Sequence, residues 1–306
     1  MPCTPGSIDL HVHSTASDGS FSPSEIVALA AKNQLAAVAL TDHDTTDGIA
    51  EFLESASKFP ELEAIPGVEL STRYGARELH IVGLFIDPEA PLLKEYLARE
   101  QARRFKRNRD MKVKLSLIGY PLDDDEPAFI AAGGMEGNLG RPHFAQALME
   151  KYHFPDLRTV FEKLLGNNKS AYIPRESSSP REAIEAIHSA GGLAVWAHPI
   201  YRDRNERAYV RRVARKLGAL GLDAMEGYYS LFGPPETLLV KETAQQFNLV
   251  ISGGSDFHGD RSPNIELGCG AGKLCVPSEL LAALKERRKE LLSKTLQNGE
   301  EKTSSC

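Results

Sequence analysis

With 306 residues, 42% of them hydrophobic and 25% charged, the chain has the composition of a globular protein with apolar side chains enough for one large α/β domain or two ordinary ones. Its 36 Lys and Arg are outnumbered by 42 Asp and Glu, and a net charge of −6 argues against general coating of nucleic acid while leaving room for a local basic site. No apolar run approaches the roughly 20 residues of a membrane span, and the start lacks the basic and apolar regions of a signal peptide, so a cytoplasmic protein with no obligate protein partner is expected. Cys3, Cys269, Cys275 and Cys306 form no Cys-x-x-Cys pair, and reduced, incidental thiols are the expectation.

In chain order, Ile8, Leu10 and Val12 alternate with Asp9, His11 and His13, which places both histidines on one face of a strand. Asp18 follows five residues later. Ser22-Pro23-Ser24-Glu25 combines a hydroxyl cap with proline at the first helical position, the signature of a helix start. The apolar run 36–40 then leads into Thr41-Asp42-His43-Asp44, and a helix is expected over 46–58. The strand expected over 62–70 carries Glu69 near its end, and that over 78–86 carries His80 near its start.

The strand and helix rhythm then stops. Residues 92–117 predict one long helix crowded with arginine and lysine, and after a glycine-punctuated loop two shorter helices are expected over 142–152 and 157–165. These residues predict a small helical insertion over 99–171, between a first barrel part at 1–98 and a second at 172–306. Ser179-Pro180 starts the returning helix. Apolar strands then run into His198, into Glu226, and through Gly253-Gly254-Ser255 into Asp256-Phe257-His258. A charged helix is expected over 279–296, with a frayed tail after Asn298.

Near-continuous apolar strands alternating with helices predict a parallel sheet, and polar residues gathered at strand ends predict a (β/α) barrel of about seven strands. The donors collected at those ends are His11, His13, Asp18, His43, Glu69, His80, His198, Asp256 and His258, which include six of the nine histidines. One tetrahedral zinc needs about four ligands, so this set implies two or three ions that share bridging groups. Imidazole and carboxylate without thiolate suit manganese, iron or zinc. Metal clusters of this kind activate water for ester hydrolysis, and no nucleophile elbow competes. In the insertion, Arg103 and Arg107 share a helix face, and Arg141-Pro142-His143 follows the glycine-rich loop; these four side chains, excepting Pro142, are candidates to hold phosphate or ribose. Glu226 is a candidate to orient a metal ligand.

Asp9-Leu10-His11-Val12-His13-Ser14, Thr41-Asp42-His43-Asp44-Thr45, Gly67-Val68-Glu69, Leu79-His80, Ala197-His198-Pro199 and Gly254-Ser255-Asp256-Phe257-His258 resemble, in order, the motifs of the polymerase and histidinol phosphatase (PHP) family. Ser17 to Ser20, the insertion and Gly140 to His143 look most like the branch of 3′,5′-nucleoside bisphosphate phosphatases, some of which are described as 5′-to-3′ exoribonucleases on short RNA. The resemblance implies a distorted (β/α)7 barrel with up to three metals, often manganese. It implies that His11, His13, Glu69 and Asp256 hold one ion, that Glu69 bridges to a second held with His80 and His198, and that Asp18, His43 and His258 hold a third. His43, Glu69, Asp256 and His258 would flank the reaction. The expected activity is removal of the 3′-phosphate from a bisphosphonucleotide such as pAp. Exoribonuclease activity and histidinol-phosphate hydrolysis are the enzyme alternatives, and a metal-holding accessory module is the non-enzyme one.

Overall fold

The structure, a computed structural model, describes residues 4–75, 77–131, 133–134, 139–174, 176–200 and 207–303, with the backbone alone described for 295–303. Seven strands lie in sequence order in one sheet: β1 (Ile8–Val12), β2 (Ala37–Leu40), β3 (Glu63–Tyr74), β4 (Arg77–Leu84), β5 (Leu193–Trp196), β6 (Ala224–Tyr229) and β7 (Val250–Gly254). The His13 amide donates to the Phe257 carbonyl at 2.9 Å just beyond β1 and β7, so the sheet nearly closes into a barrel. Ten helices accompany it among the described residues: α1 (Pro23–Lys32), α2 (Ile49–Ala56), α3 (Pro91–Leu117), α4 (Pro127–Ile130), α5 (Arg141–Tyr152), α6 (Leu157–Val160), α7 (Pro180–Ser189), α8 (Arg207–Gly218), α9 (Pro234–Gln246) and α10 (Glu279–Thr303).

The sheet is not wholly parallel as the sequence pattern predicts, because β4 runs antiparallel to both β3 and β5. Only residues 75 and 76 separate β3 from β4, and a parallel return needs a crossover of a dozen residues or more. The reversal decides where His80 lies. His80, near the start of β4, pairs with Ser71 and lies beside Ala197, at the same mouth where the parallel strands end.

Local signals placed the helices well. Ser22 caps α1 and Glu25 reaches back to its amide, and Ser179 and Glu182 make the same reciprocal cap at α7. The helix expected over 157–165 is α-helical only to Val160 and continues as a π-turn at Phe161–Leu165. The helix expected from residue 46 begins at Ile49. At the other end α10 continues to Thr303, past the point where fraying is expected.

Helices α1 and α2 cover Val38 and Leu40, while α7, α8 and α9 cover Leu70, Ile81, Trp196 and Met225. Ile8, Ala37, Ile65, Val82 and Leu193 gather with Val276, Leu281 and Leu284 near the start of α10. Residues 111–171 have a separate core, in which the Phe129 and Phe144 rings meet at 4.7 Å. Burial of each such ring contributes about 1.5–3 kcal/mol. The expectation of reduced thiols fails at Cys269, which is buried and disulfide-bonded; Cys275 is free and exposed, and Cys3 and Cys306 lie outside the described residues. No helix among the described residues is long and apolar enough to cross a membrane.

Candidate metal centre

The barrel mouth collects all nine donors from seven separate places in the chain. His11 lies on β1 and His13 just beyond it; His43 follows β2, Glu69 lies on β3, His80 on β4, His198 beyond β5, and Asp256 and His258 beyond β7. Asp18 reaches the mouth from the loop after β1, where a Cβ at Gly19 would collide with the His13 carbonyl. Three residues here take left-handed backbone conformations without being glycine: Asp44 (φ 52°), His198 (φ 29°) and Asp256 (φ 56°). Such conformations cost on the order of 1–3 kcal/mol each and persist where surrounding contacts dictate them.

Glu69 sits at the centre. Its Oε2 lies 3.3 Å from His11 Nε2, 3.2 Å from His13 Nε2 and 3.1 Å from His43 Nδ1. Its Oε1 lies 2.8 Å from His80 Nδ1 and 3.2 Å from His198 Nε2. Asp256 Oδ1 closes one side at 3.3 Å from His13 Nε2 and 3.5 Å from His11 Nε2. On the other side, Asp18 Oδ1 lies 3.3 Å from His258 Nε2 and 3.9 Å from His13 Nδ1. The donor atoms form three sets, each spanning no more than 4.8 Å: His11, His13, Glu69 and Asp256; His13, Asp18, His43 and His258; and His43, Glu69 and His80. The first set is the one the family resemblance implies. The others differ from it, because His13 also turns Nδ1 toward Asp18, and His43 stands with Glu69 and His80 where His198 was expected.

The donor set fits divalent cations on its own chemistry. His11 Nε2, both nitrogens of His13, Asp18 Oδ1 and Glu69 Oε2 are buried without a hydrogen-bond partner, a costly arrangement unless a cation completes it. Burial opposes ionisation of Glu69, yet the imidazoles of His43, His11 and His80 outweigh it and hold the carboxyl well below its usual range. Asp18 and Asp256 are held down likewise, by His43 and His258 and by His11 and His13 respectively, against burial. In return the carboxylates lift His13 to about 10 despite its burial, which marks a place where positive charge is favoured.

Around these donors stands a layer of supports. Glu226, expected to orient a ligand, accepts from His11 Nδ1 at 3.0 Å and from the His198 amide at 2.6 Å. Tyr229 donates to Asp256 Oδ2 at 2.9 Å. Asp42 accepts from the Ser14 amide at 2.8 Å and the Ser14 hydroxyl at 2.6 Å, and Asp9 accepts from the amides of Ser255 and Gly268 at 2.8 and 2.7 Å. Sequence reasoning did not single out Asp9, Asp42, Asp44 or Tyr229 as supports, although the first three flank chosen histidines.

The four proposed substrate contacts are buried or already paired within the protein. Arg103 donates to Glu100 Oε1 at 2.5 Å and Ser178 Oγ at 2.9 Å, and Arg107 is buried. Arg141 donates to Asn167 Oδ1 at 3.0 Å and stands 3.7 Å from Glu78. His143 is buried, and its Nδ1 accepts from the Gly140 amide at 3.0 Å, so in the neutral ring the proton sits on Nε2. Two basic residues not chosen from sequence stand beside the donors: Arg104, paired with Asp44 next to His43, and Arg261, with Asp18 and His258 on a shared cavity.

The chain resembles known proteins in sequence and in fold. The chain is 38% identical over 271 residues to the 5′-3′ exoribonuclease Rnm of Escherichia coli K12, a match covering 88% of this chain and 90% of that protein. It is 35% identical over 262 residues to the 3′,5′-nucleoside bisphosphate phosphatase of Chromobacterium violaceum, covering 82% and 87%. A solved structure from Bifidobacterium adolescentis, named as a candidate metal-dependent phosphoesterase, superposes with a TM-score of 0.81 at 29% identity over 94% of this chain and 98% of that one. The PHP domain model matches residues 9–192, the stretch that supplies His11 through His80 and the hairpin that reverses β4. With that match over more than half of its length, the chain belongs to the PHP domain family.

Proposed function

We propose that this chain, a metal-dependent phosphoesterase of the PHP family, acts in the cytoplasm to remove the 3′-phosphate of 3′,5′-bisphosphonucleotides such as pAp, giving a 5′-mononucleotide and phosphate. The observation that carries the reading is the convergence of nine imidazole and carboxylate donors on one mouth, eight in three close sets and His198 beside Glu69, with three carboxylates held ionised. His11, His13, Glu69 and Asp256 would hold one divalent ion, Glu69 with His80 and His198 or His43 a second, and Asp18, His43 and His258 a third. Imidazole and carboxylate donors without thiolate suit manganese, iron or zinc, and the family resemblance makes manganese the choice. Such ions, when bound, supply Lewis acidity and an activated water.

The chain's own groups do the positioning. Glu226 fixes the His11 ring through Nδ1, and Tyr229 fixes the Asp256 carboxylate. His43, Glu69, Asp256 and His258 surround the place for the reacting phosphorus. Residues 99–171 serve as a lid over the barrel formed by 1–98 and 172–306. From that lid Arg103, Arg107 and Arg141 hold the substrate's other phosphate or ribose, and His143 presents its Nε2 proton to a substrate oxygen.

The relative named as a bisphosphate phosphatase supports this substrate, and the relative named as an exoribonuclease supports a second reading, trimming of short RNA from its 5′ end. Phosphate release from pAp with manganese, compared with His43→Ala, tests the proposal. Histidinol phosphate and a 5′-phosphorylated oligoribonucleotide serve as competing substrates. Release from pAp no greater than that of His43→Ala would overturn it.

A further inference from the structure

Beside the donor cluster lies a cavity of about 380 Å3. Asp18, Asp256 and His258 line one part of it; Leu157 and Phe161 line another, contributed by the segment that follows α5, and Ile265 faces in from the loop after β7. Its size falls at the small end of the range for pockets that enclose a single small molecule, enough for one nucleotide. An apolar wall carrying an aromatic ring suits a base better than a bare sugar phosphate. Phe161 opens a π-turn, Phe161–Leu165, and such turns are rare and concentrate at functional places.

Arg261 is the cation of this cavity. It ends the turn Gly259–Arg261, which is clamped where the Asp260 amide donates to Ser20 Oγ at 2.8 Å. A Cβ at Gly259 would run into Ser20 and Phe21, so the turn is packed tightly against that loop. Nη1 of Arg261 is buried and has no hydrogen-bond partner. Burial lowers the guanidinium's affinity for its proton while the nearby Asp18 raises it, so the charge is held in a partly dehydrated place. A guanidinium there with an open donor is a preformed anion receptor.

We infer that this cavity seats the nucleoside half of the substrate, with Arg261 gripping the phosphate that is not cleaved and the Phe161 ring facing the base. The inference rests on the phosphoesterase reading above and transfers the role of principal phosphate anchor from Arg103 and Arg107 to Arg261. The cavity therefore selects nucleoside phosphates over sugar phosphates.

Calorimetric titration of metal-free protein with AMP, adenosine and ribose 5-phosphate tests it without turnover. Arg261→Met should weaken AMP about tenfold and leave adenosine unchanged, as expected for loss of a charge-assisted hydrogen bond. Arg261→Lys should recover part of the loss, and equal urea midpoints for all variants show that folding is intact. Phe161→Ala should weaken AMP and adenosine by about fivefold or more, with ribose 5-phosphate unchanged. In turnover, Arg261→Met should raise the KM for pAp about tenfold with kcat within about twofold. Unchanged AMP affinity in Arg261→Met, or an equal loss for adenosine, overturns the inference. Arg261-dependent AMP binding without pAp hydrolysis would leave the subsite standing and remove the activity; pAp hydrolysis at unchanged KM by Arg261→Met would do the reverse.

Discussion

Arg104, midway along α3, donates through Nη2 to Oδ2 of Asp44, and both side chains are buried. Asp44 is the residue after His43, and its carboxylate also accepts from the Ser71 amide and hydroxyl, each at 3.0 Å. One ion pair thus ties the long basic helix to the loop that carries a metal-ligand candidate, and it supports the left-handed backbone at Asp44.

Removing one side of such a pair strands the other. Arg104→Met should destabilise the protein by about 3–5 kcal/mol, read from the urea midpoint. The double variant Arg104→Met/Asp44→Asn should recover part of that loss. An Arg104→Met protein as stable as wild type would show that the pair does not hold the loop.

Glu69 touches five imidazoles, so its loss should reach more than one ion. Glu69→Gln, purified without chelator, is expected to carry at least one metal fewer per chain by elemental analysis. Chelation of the wild type should lower its melting temperature, because ligands that bind only the folded state stabilise by about 2.7 kcal/mol at a hundredfold excess over Kd. Added manganese should restore the melting temperature.

Glu226 never needs to meet an ion to matter. Glu226→Gln should loosen the His11 ring and the His198 backbone and weaken metal binding about 10- to 100-fold in competition with a chelating dye. Unaltered affinity would reduce Glu226 to a packing role.

His143 gives a pH signature. Burial, reinforced by Arg261 and Arg104, lowers its pKa from 6.5 to about 4. The unfolded chain therefore takes up a proton near pH 6.5 that the folded chain refuses until about pH 4, so this residue's contribution to stability is complete above that window and is lost as the pH falls through it. His143→Asn keeps an acceptor for the Gly140 amide without the titration. Urea midpoints at pH 7 and pH 5 should fall further for wild type than for this variant.

Most of the donors could be picked out because His11, His13, His43, His198, Asp256 and His258 lie at or just beyond the ends of β1, β2, β5 and β7, and alternation alone puts His11 and His13 on one face. The direction of β4 was not legible, since its run of apolar residues looks the same read either way; only the two-residue gap after Tyr74 betrays the hairpin. Arg104 was passed over because a helix with so many cations offers no local reason to prefer one. What distinguishes it is Asp44, 60 residues earlier. Arg261 lies in a loop without periodicity, and the partner of Cys269 cannot be read from spacing, so both depend on tertiary placement.

Because β4 runs backward, the chain leaves it at the floor of the barrel, on the side away from the histidines. The chain must climb back along the wall before it can meet the donors' end again. The 27 residues of α3 span about 40 Å at helical rise, a ladder long enough for that ascent, with Arg104 latched partway up. The first half of α3 therefore suffices to bring the chain back beside His43, a return that a strand pointing at the mouth would not have required.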